Sequence, residues 1–390
     1  MHLIERYALS SGSIIDQPFI YEKFFPVNSQ KYLTFNAFTK SDSRNYDFWQ
    51  IVIEMLYPYL MKEGVDIVQI GDPNDMPINN CIHIMGQTNV SQLAYVIRRG
   101  ILHFGVDSLP THLASYFQKK IVGIYSYSLP QQSGPYWSRP EDVVILEADK
   151  KGNKPSYNHN ESPKSINRVK PEDIVNAILK LLRIDEKEQT KTVFMGSAFN
   201  KPRIDVIPNS IVAPKSYQNS LNIRGDLLFN PELIYRQLQI CRSVIVTTDP
   251  LDVEKLKRLR QNLATIVYRV SNRKYDKKFI DKCKESGLQI LLISDEEGEA
   301  FDKTKLLFLD YGIGREIFST KEKLELTEEI TENTVVKSNY FLLSEGKIYM
   351  SRAHWEAKKE SPSFVQNEGN VLDVPHFWRD AVSYYIYNRG

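Results

Sequence analysis

The chain has few cysteines, no long apolar run and almost no net charge, and each shortage excludes a class of protein. Only three of its 390 residues are cysteines, the widely spaced Cys81, Cys241 and Cys283, which fit neither a disulfide framework nor a zinc site. No run of eighteen apolar residues occurs, and the first residues lack the apolar stretch of a signal peptide. We therefore expect a cytoplasmic protein without a transmembrane segment.

The net charge of +2 argues against a protein that binds nucleic acid mainly by electrostatics. Two local clusters, "KLKRLR" (255–260) and "RKYDKK" (273–278), still leave a transferase that glycosylates DNA bases as an alternative. Familiar phosphate-loop, dinucleotide, zinc-helix and nucleophile-elbow motifs are missing, and so is an Asp-x-Asp metal motif. Chemistry without a metal or cofactor is the resulting expectation.

Apolar runs alternate with helical patterns along the chain, which predicts βαβ units and parallel sheets. The charged stretch "IDEKEQTK" (184–191) reads as a linker, after which a second α/β series begins. We therefore predict two Rossmann-like α/β domains, residues 1–184 and 185–390. The second domain is expected to close with a hairpin around Glu345-Gly346 and a final helix in "VPHFWRDAVSYYIYN" (374–388).

An unusual polar turn follows the predicted strand "ILHFGV" (101–106), with Asp107, Ser108, Thr111 and His112 at the start of the next helix. Ligands of open parallel sheets collect at the carboxyl ends of strands, and the free N–H groups of a helix start favour an anion. Thr111 and His112 would donate to a phosphate, and Asp107 would accept sugar hydroxyls. The alternative is that Ser108 or Asp107 only caps the helix.

A second strand-to-helix turn, "TKSDSR" (39–44), supplies Thr39, Lys40 and Arg44. The loop "QQSGPYW" (131–137) places Gly134 and Tyr136 after the strand that follows the polar turn. Two turns and one loop of the same sheet thus carry groups suited to a phosphorylated ligand.

The order of these elements over about residues 30–184, with the "DSLPTHLA" turn and the "SGPY" loop, resembles glycosyltransferase family nine, the heptosyltransferases. The resemblance implies a GT-B fold and a nucleotide-sugar donor as co-substrate, with its diphosphate over Ser108, Thr111 and His112. Lys40 or Arg44 would add positive charge, Gln87 and Thr88 would lie near the base or ribose, and Gly134 and Tyr136 match the family's loop.

Two departures from the family pattern matter. Leu109 stands where the family has Gly, and the donor-like half comes first here rather than second, which suggests a permuted order. The family's catalytic acid near the N-terminus therefore has no match, and the strand-end acids Asp226 and Asp249 of the second domain become the candidate bases.

From these observations we predict a metal-independent, inverting glycosyltransferase that moves a sugar from a nucleotide-sugar donor. The acceptor, whether glycan, lipid or nucleic acid, and the oligomeric state stay open. A non-catalytic sugar-nucleotide-binding or interaction protein of the same fold is the alternative from another class.

Overall fold

A computed structural model of the chain describes residues 1–16, 18–150, 152–213, 221–315, 329–364, 366–372 and 374–390. These residues form two compact units, Met1–Ser197 with Arg389–Gly390, called unit 1, and Ala198–Asn388, called unit 2. Both units are α/β with parallel sheets, which confirms the predicted fold class.

The sheet of unit 1 is built from short, apolar strands. They are β1 Tyr32–Asn36, β2 Asp66–Ile70, β3 Ile82–His83, β4 Leu102–Val106, β5 Lys120–Tyr125 and β6 Val143–Glu147. All six are parallel, in the spatial order β3-β2-β1-β4-β5-β6. Every residue of β1 and β4 is buried, as expected for strands with helices on both sheet faces.

The helices of unit 1 lie before, between and after these strands. They are α1 Leu3–Ser11, α2 Trp49–Lys62, α3 Val90–Arg99, α4 Leu109–Tyr116, α5 Pro130–Ser133 and α6 Pro171–Leu182, with 3₁₀ turns at Asp42–Arg44, Pro140–Asp142 and Ser165–Arg168. Strand β7, Lys191–Met195, follows α6.

The strand order of unit 1 reverses between β1 and β4. The chain lays β1, β2 and β3 to one side, then returns to place β4, β5 and β6 on the other. In open α/β sheets, the crevice at such a reversal is where ligands bind. Gly105 allows the two strands to meet there: its φ is 153°, and a Cβ atom would lie 2.2 Å from the Asn36 carbonyl oxygen.

Unit 2 is also built around a mainly parallel sheet. Its strands are β8 Arg203–Val206, β9 Leu221–Arg224, β10 Ser243–Thr247, β11 Leu263–Arg269, β12 Ile290–Ser294, β13 Ile313–Arg315, β14 Thr334–Ser338, β15 Tyr340–Ser344, β16 Lys347–Tyr349, β17 Glu368–Asn370 and β18 Tyr384–Asn388. One sheet runs β13-β12-β11-β10-β9-β8-β15-β16, in which β16 pairs antiparallel with β15. Strand β14 pairs antiparallel with both β17 and β18.

The helices of unit 2 in the described residues are α7 Pro231–Ile240, α8 Val253–Arg258, α9 Lys277–Glu285, α10 Gly298–Leu307, α11 Arg352–Glu356 and α12 Pro375–Asp380. One apolar core joins helices α7, α8 and α9 to strands β9–β12, with buried side chains from Leu238, Leu256 and Ile280 among others. None of the helices in the described parts of the chain is long and apolar enough to cross a membrane.

The prediction for the C-terminal region is partly confirmed. The hairpin turn at Glu345-Gly346 is present between β15 and β16, with positive φ at both residues. The predicted final helix is wrong: α12 ends at Asp380, a 3₁₀ turn follows, and Tyr384–Asn388 is strand β18. Its sequence, "YYIYN", is rich in the aromatic and β-branched residues that pack well in a sheet, and it pairs with β14.

Candidate functional site

Asp107, directly after β4, is the centre of a polar cluster at the strand-order reversal. Its side chain is buried, and its Oδ2 accepts hydrogen bonds from the hydroxyls of Ser128, at 3.2 Å, and Ser133, at 3.5 Å. The Arg44 Nη1 atom donates to the Asp107 carbonyl oxygen at 3.1 Å and lies 3.7 Å from Oδ2. The His112 Nε2 atom lies 3.7 Å from Oδ1. The structure thus brings together three of the predicted site residues, Arg44, Asp107 and His112.

Ser108 belongs to the same cluster through Asn36. It is the N-cap residue of α4, but its side chain makes no capping bond to the helix. Its hydroxyl instead donates to Asn36 Oδ1 at 2.5 Å. The Asn36 amide in turn donates to the carbonyl oxygens of Phe38 and Ile70, both at 3.3 Å. Asn36, which the sequence analysis missed, therefore ties the ends of β1 and β2 to the start of α4.

Thr111 lies inside the unit, in contrast to its predicted role as a side-chain donor to an anion. It is fully buried, and its hydroxyl donates to the Val106 carbonyl oxygen at 3.1 Å. His103, also fully buried, lies 3.5 Å from that hydroxyl and 3.0 Å from the Thr34 hydroxyl. Burial lowers the pKa of His103 to about 3, so the ring is neutral at ordinary pH and acts as a bridge between β1, β4 and α4.

The start of α4 offers fewer backbone donors than an average helix start. Pro110 has no N–H group, and the Thr111 N–H donates to the Ser108 carbonyl oxygen at 3.1 Å. Leu109, the first helical residue, is 49% exposed at this point. Positive charge at the site therefore comes mainly from side chains.

The turn after β1 supplies that charge. Thr39 is held in place by Asn45, because its N–H donates to Asn45 Oδ1 at 2.7 Å and its carbonyl accepts from Asn45 Nδ2 at 3.1 Å. Lys40 is exposed to solvent, whereas the Arg44 guanidinium stacks 4.6 Å above the Tyr127 ring. Of the two candidates for the basic position, Arg44 is the one that contacts Asp107.

Two buried polar atoms near Asp107 lack a hydrogen-bond partner among the described residues. They are the Tyr125 hydroxyl and the Arg44 Nε atom. Burial and the nearby Asp107 charge raise the pKa of Tyr125 well above its usual range, so its hydroxyl stays protonated and available as a donor. Unsatisfied donors beside a buried carboxylate are suited to a polar ligand.

Three loops at the carboxyl edge of the unit 1 sheet are hydrogen-bonded to one another. The N–H of Ser43, in the loop after β1, donates to the His159 carbonyl oxygen at 3.1 Å. The N–H of Tyr157 donates to the Tyr127 carbonyl at 3.2 Å, and its hydroxyl donates to Gln132 at 3.0 Å. The long polar loop after β6 is thereby fastened to the loops after β1 and β5.

Gly134 and Tyr136 lie in the loop after β5, where the N-terminal segment contacts them. The Gly134 N–H donates to the Pro130 carbonyl oxygen at 2.7 Å, and a Cβ atom at this glycine would lie 2.5 Å from that oxygen. His2 contacts both residues, because its Nε2 lies 3.1 Å from the Gly134 carbonyl oxygen and its ring lies 4.8 Å from the Tyr136 ring.

Gln87 and Thr88 are not part of the Asp107 cluster. They follow β3, the edge strand, which β2 separates from β1. With neighbouring strands about 4.8 Å apart, the end of β3 lies roughly 10 Å from the end of β1. Gln87 is exposed and donates to the His83 carbonyl at 3.2 Å. Both residues still lie on the carboxyl edge of the same sheet.

The two candidate bases of unit 2 differ in their surroundings. Both carboxylate oxygens of Asp226 contact Arg224, at 2.7 and 2.8 Å, and Arg269 lies 3.0 Å from Oδ2. Asp226 is therefore buried in ion pairs. A carboxylate held in this way is poorly placed to take a proton from a substrate.

Asp249 is the more accessible acid, with 35% of its side chain exposed. Thr248 donates to its Oδ2 at 2.8 Å, and Lys274 lies 3.1 Å from Oδ1. Burial works to raise the pKa of Asp249, but the bonds from Thr248 and Lys274 outweigh it and hold the pKa below the usual range. The carboxylate is thus ionised near neutral pH.

Within the described residues, no group of three or more His, Cys, Asp or Glu side chains is arranged to hold a metal ion.

Residues 63–163 match the family model for glycosyltransferase family 9 (heptosyltransferase). The lipopolysaccharide core heptosyltransferase OpsX of Haemophilus influenzae is 34% identical over 76 residues, which are 19% of this chain and 22% of that protein. The chain thus matches only about a fifth of the length of this curated relative. The matched family segment contains the Asp107–Ala114 turn, which confirms the resemblance for this part of the chain.

Solved structures of the same family are also similar to this chain. A family 9 glycosyltransferase from Veillonella parvula is 20% identical, with a TM-score of 0.33, over 46% of this chain and 50% of its own. The ADP-heptose lps heptosyltransferase II of E. coli is 15% identical, with a TM-score of 0.33, over 46% of this chain and 51% of its own.

Proposed function

We propose that this chain is a glycosyltransferase of the GT-B type, in which unit 1 binds a nucleotide-sugar donor and unit 2 binds the acceptor. The observation that carries the proposal is the convergence of Arg44, Asp107, Ser108 and His112 at the strand-order reversal of unit 1. Three of these four residues lie within the segment that matches the glycosyltransferase model.

The charges at this position suit a diphosphate next to a sugar. Arg44 and His112 flank Asp107, and exposed Lys40 lies in the same turn as Arg44. Cationic side chains placed where the leaving diphosphate gains charge would stabilise the transition state. Among the described residues, the contact of Asp107 Oδ1 is the His112 Nε2 atom at 3.7 Å, which is too long for a hydrogen bond, so this oxygen would accept a sugar hydroxyl.

The proposed reaction is a direct displacement with inversion. An acceptor hydroxyl attacks the anomeric carbon, the bond to the diphosphate oxygen breaks, and a carboxylate of unit 2 takes the hydroxyl proton. Asp249 is the candidate base, because Asp226 is held between two arginines. We propose that neither a metal nor another cofactor takes part, so transfer should continue at an unchanged rate in excess EDTA.

The donor we propose is a nucleoside diphosphate sugar. Because OpsX is a heptosyltransferase, a heptose is the first sugar to test. The acceptor stays open.

Isothermal titration with nucleoside diphosphates and their sugar conjugates tests donor binding. At least one of them should bind more tightly than about 1 mM, and Arg44→Ala and His112→Ala should each weaken binding about tenfold or more. Lys180→Ala, on the exposed end of α6, is the control and should bind as the wild type does. If no nucleotide binds below about 1 mM, or if neither site variant changes the affinity, the proposal fails.

A binding protein without turnover is the second candidate, and Leu109 favours it. The exposed leucine stands at the start of α4, where Pro110 also removes one backbone donor. A labelled donor incubated with a cell extract as acceptor source distinguishes the two functions. Tight nucleotide binding with no product above a heat-inactivated control would support the binding protein and contradict the transferase.

A further inference from the structure

One stretch of unit 2, which includes helices α8 and α9, is strongly basic, although the whole chain has a net charge of only +2. Between Lys255 and Lys284 there are eleven lysines and arginines but only two acids, Asp276 and Asp281. Asp276 caps α9 by accepting from the Phe279 N–H, and Asp281 accepts from the Tyr311 hydroxyl. Both carboxylates keep their charge, so eleven cations and two acids leave this stretch with a net charge of +9. Asp252, Glu254 and Glu285 border the stretch, and helix α10 adds two acids, Glu299 and Asp302, and two lysines, Lys303 and Lys305.

The basic side chains share one face because of the topology. Strands β10, β11, β12 and β13 are neighbours in chain order and parallel, so right-handed connections place α8, α9 and α10 on the same side of the sheet. The single core that contains Leu256 of α8, Ile280 of α9 and Phe308 after α10 agrees with this placement.

Most of these cations have no partner in the described residues. All ten outside β11 are exposed. Lys274 pairs with Asp249, and Lys255 and Lys284 lie over tyrosine rings. No ion pair, hydrogen bond or ring contact within the described chain involves the side chains of Lys257, Arg258, Arg260, Arg273, Lys277, Lys278 and Lys282.

Three exposed leucines border the lysines of α9. Leu306, Leu307 and Leu309 are exposed by 67%, 49% and 67%. They flank Phe308, whose ring lies 5.1 Å from that of Tyr275 just before α9. Tyr311 continues the segment, and its ring lies 3.7 Å from the Lys284 ammonium. Exposed aliphatic side chains thus lie beside a field of unpaired lysines.

We propose that this basic and aliphatic face of α8, α9 and the 306–309 segment binds the surface of a membrane that contains anionic lipids. Lysines and arginines are attracted to anionic headgroups, and adjacent leucines gain free energy by entering the interfacial region of the bilayer. Leucines carry no group that pairs with a base or a phosphate, so their position favours a lipid surface over nucleic acid. The proposal does not depend on the sugar-transfer function of unit 1.

Vesicle co-sedimentation of the full chain tests the proposal. The chain should bind vesicles in which about a third of the lipid is phosphatidylglycerol, and should not bind vesicles of phosphatidylcholine alone. Binding should weaken steeply as salt is raised. The combined variant Lys277→Glu, Lys278→Glu, Lys282→Glu should bind at least about 100-fold more weakly, because each basic residue near an anionic surface contributes about fivefold.

Two further variants separate the contribution of the lysine charges to vesicle binding from that of the leucines that enter the bilayer interface. Leu306→Ser, Leu307→Ser, Leu309→Ser should lose the binding that persists at high salt. The control variant Lys180→Glu, Lys187→Glu, Lys191→Glu makes the same charge change at exposed positions of unit 1. Its affinity for the anionic vesicles should fall far less than that of the α9 variant. If a triple variant does not fold, as judged by circular dichroism, Lys278→Glu alone should still weaken binding.

Three results would overturn the proposal. One is no binding of the wild type to the anionic vesicles at low salt. Another is an equal loss in the α9 variant and the unit 1 control, which would mean that net charge alone matters. The third is displacement of the chain from the vesicles by a labelled DNA duplex, with a salt dependence of DNA binding that is steeper than that of vesicle binding. That result would assign the face to nucleic acid.

Discussion

At the scale of single residues, Asp107 organises the candidate site. A buried carboxylate is stabilised only if hydrogen bonds and positive charges surround it. Here Ser128 and Ser133 donate hydrogen bonds and Arg44 supplies a positive charge, while the His112 Nε2 atom lies 3.7 Å from Oδ1. The sequence indicated Asp107, Arg44 and His112 because each follows a predicted strand of one sheet. It did not indicate Ser128 and Ser133, because serines in a loop have no pattern that reveals which carboxylate they contact.

Asp249 and Asp226 give a residue-level prediction about catalysis. Asp249→Asn should lower kcat about 100-fold or more if this carboxylate takes the acceptor proton, while its stability changes little. Asp226→Asn should instead lower the free energy of unfolding by about 3–5 kcal/mol, because it leaves the arginines partly unpaired in a buried position. Initial rates and urea unfolding check the pair. Full activity of Asp249→Asn would exclude it as the base.

His103 gives a prediction about pH. Its pKa is about 3 in the folded chain but about 6.5 in an unfolded one, so between these values the unfolded chain binds a proton that the folded one does not. The folded state should therefore lose stability as the pH falls from about 6.5 towards 3, by several kcal/mol at most.

The variant His103→Asn isolates this effect. It should be less stable than the wild type at pH 7, since it loses buried contacts, but its stability should fall less steeply as the pH is lowered to about 4.5. Urea unfolding at the two pH values measures how steeply the free energy of unfolding falls with pH in the wild type and in the variant. Equal slopes for variant and wild type would show that His103 is not the group responsible.

At the scale of elements, the strand ends of β1 and β4 determine where the site lies. Their order in the sheet follows from the alternation of strands and helices, which the sequence shows clearly. The inward orientation of Thr111 was not predictable in the same way, because a threonine in the first turn of a helix can face either a ligand or the sheet. Contact with Val106 and His103 decides it in favour of the sheet.

The C-terminal elements show a second limit. "VPHFWRDAVSYYIYN" has the apolar spacing of a helix, yet its last five residues form β18. Its partner β14 lies some fifty residues earlier in the chain, and a pairing of that range leaves no mark on the local pattern. The hairpin at Glu345-Gly346 was predictable because a turn is a local feature.

Gly105 gives a prediction at this scale. Gly105→Ala should lower the free energy of unfolding by about 3 kcal/mol or more, because the new Cβ would meet Asn36 and the backbone φ is unfavourable for alanine. Gly314→Ala, whose Cβ would meet no atom closer than 3.6 Å, is the control and should change stability by less than about 1 kcal/mol. Urea unfolding compares the two. Similar stabilities would contradict the close approach of β1 and β4.

At the scale of the whole molecule, two α/β units divide the chemistry in the proposed function. Unit 1 has the strand order of a doubly wound α/β fold with a polar cluster at its reversal, and the family model matches part of it. Unit 2 carries the candidate base and the basic face. Strand and helix alternation predicted both folds, whereas the clustering of exposed cations on one face became visible only once the order of β10–β13 was known.

The most direct test of the proposed function is a crystal structure of the full chain soaked with a nucleoside diphosphate. We expect the diphosphate at the carboxyl ends of β1 and β4, within hydrogen-bonding distance of Arg44 and His112. A nucleotide bound elsewhere, or a site that stays closed by the loops after β1, β5 and β6 at saturating nucleotide, would contradict the assignment of this cluster as the donor site.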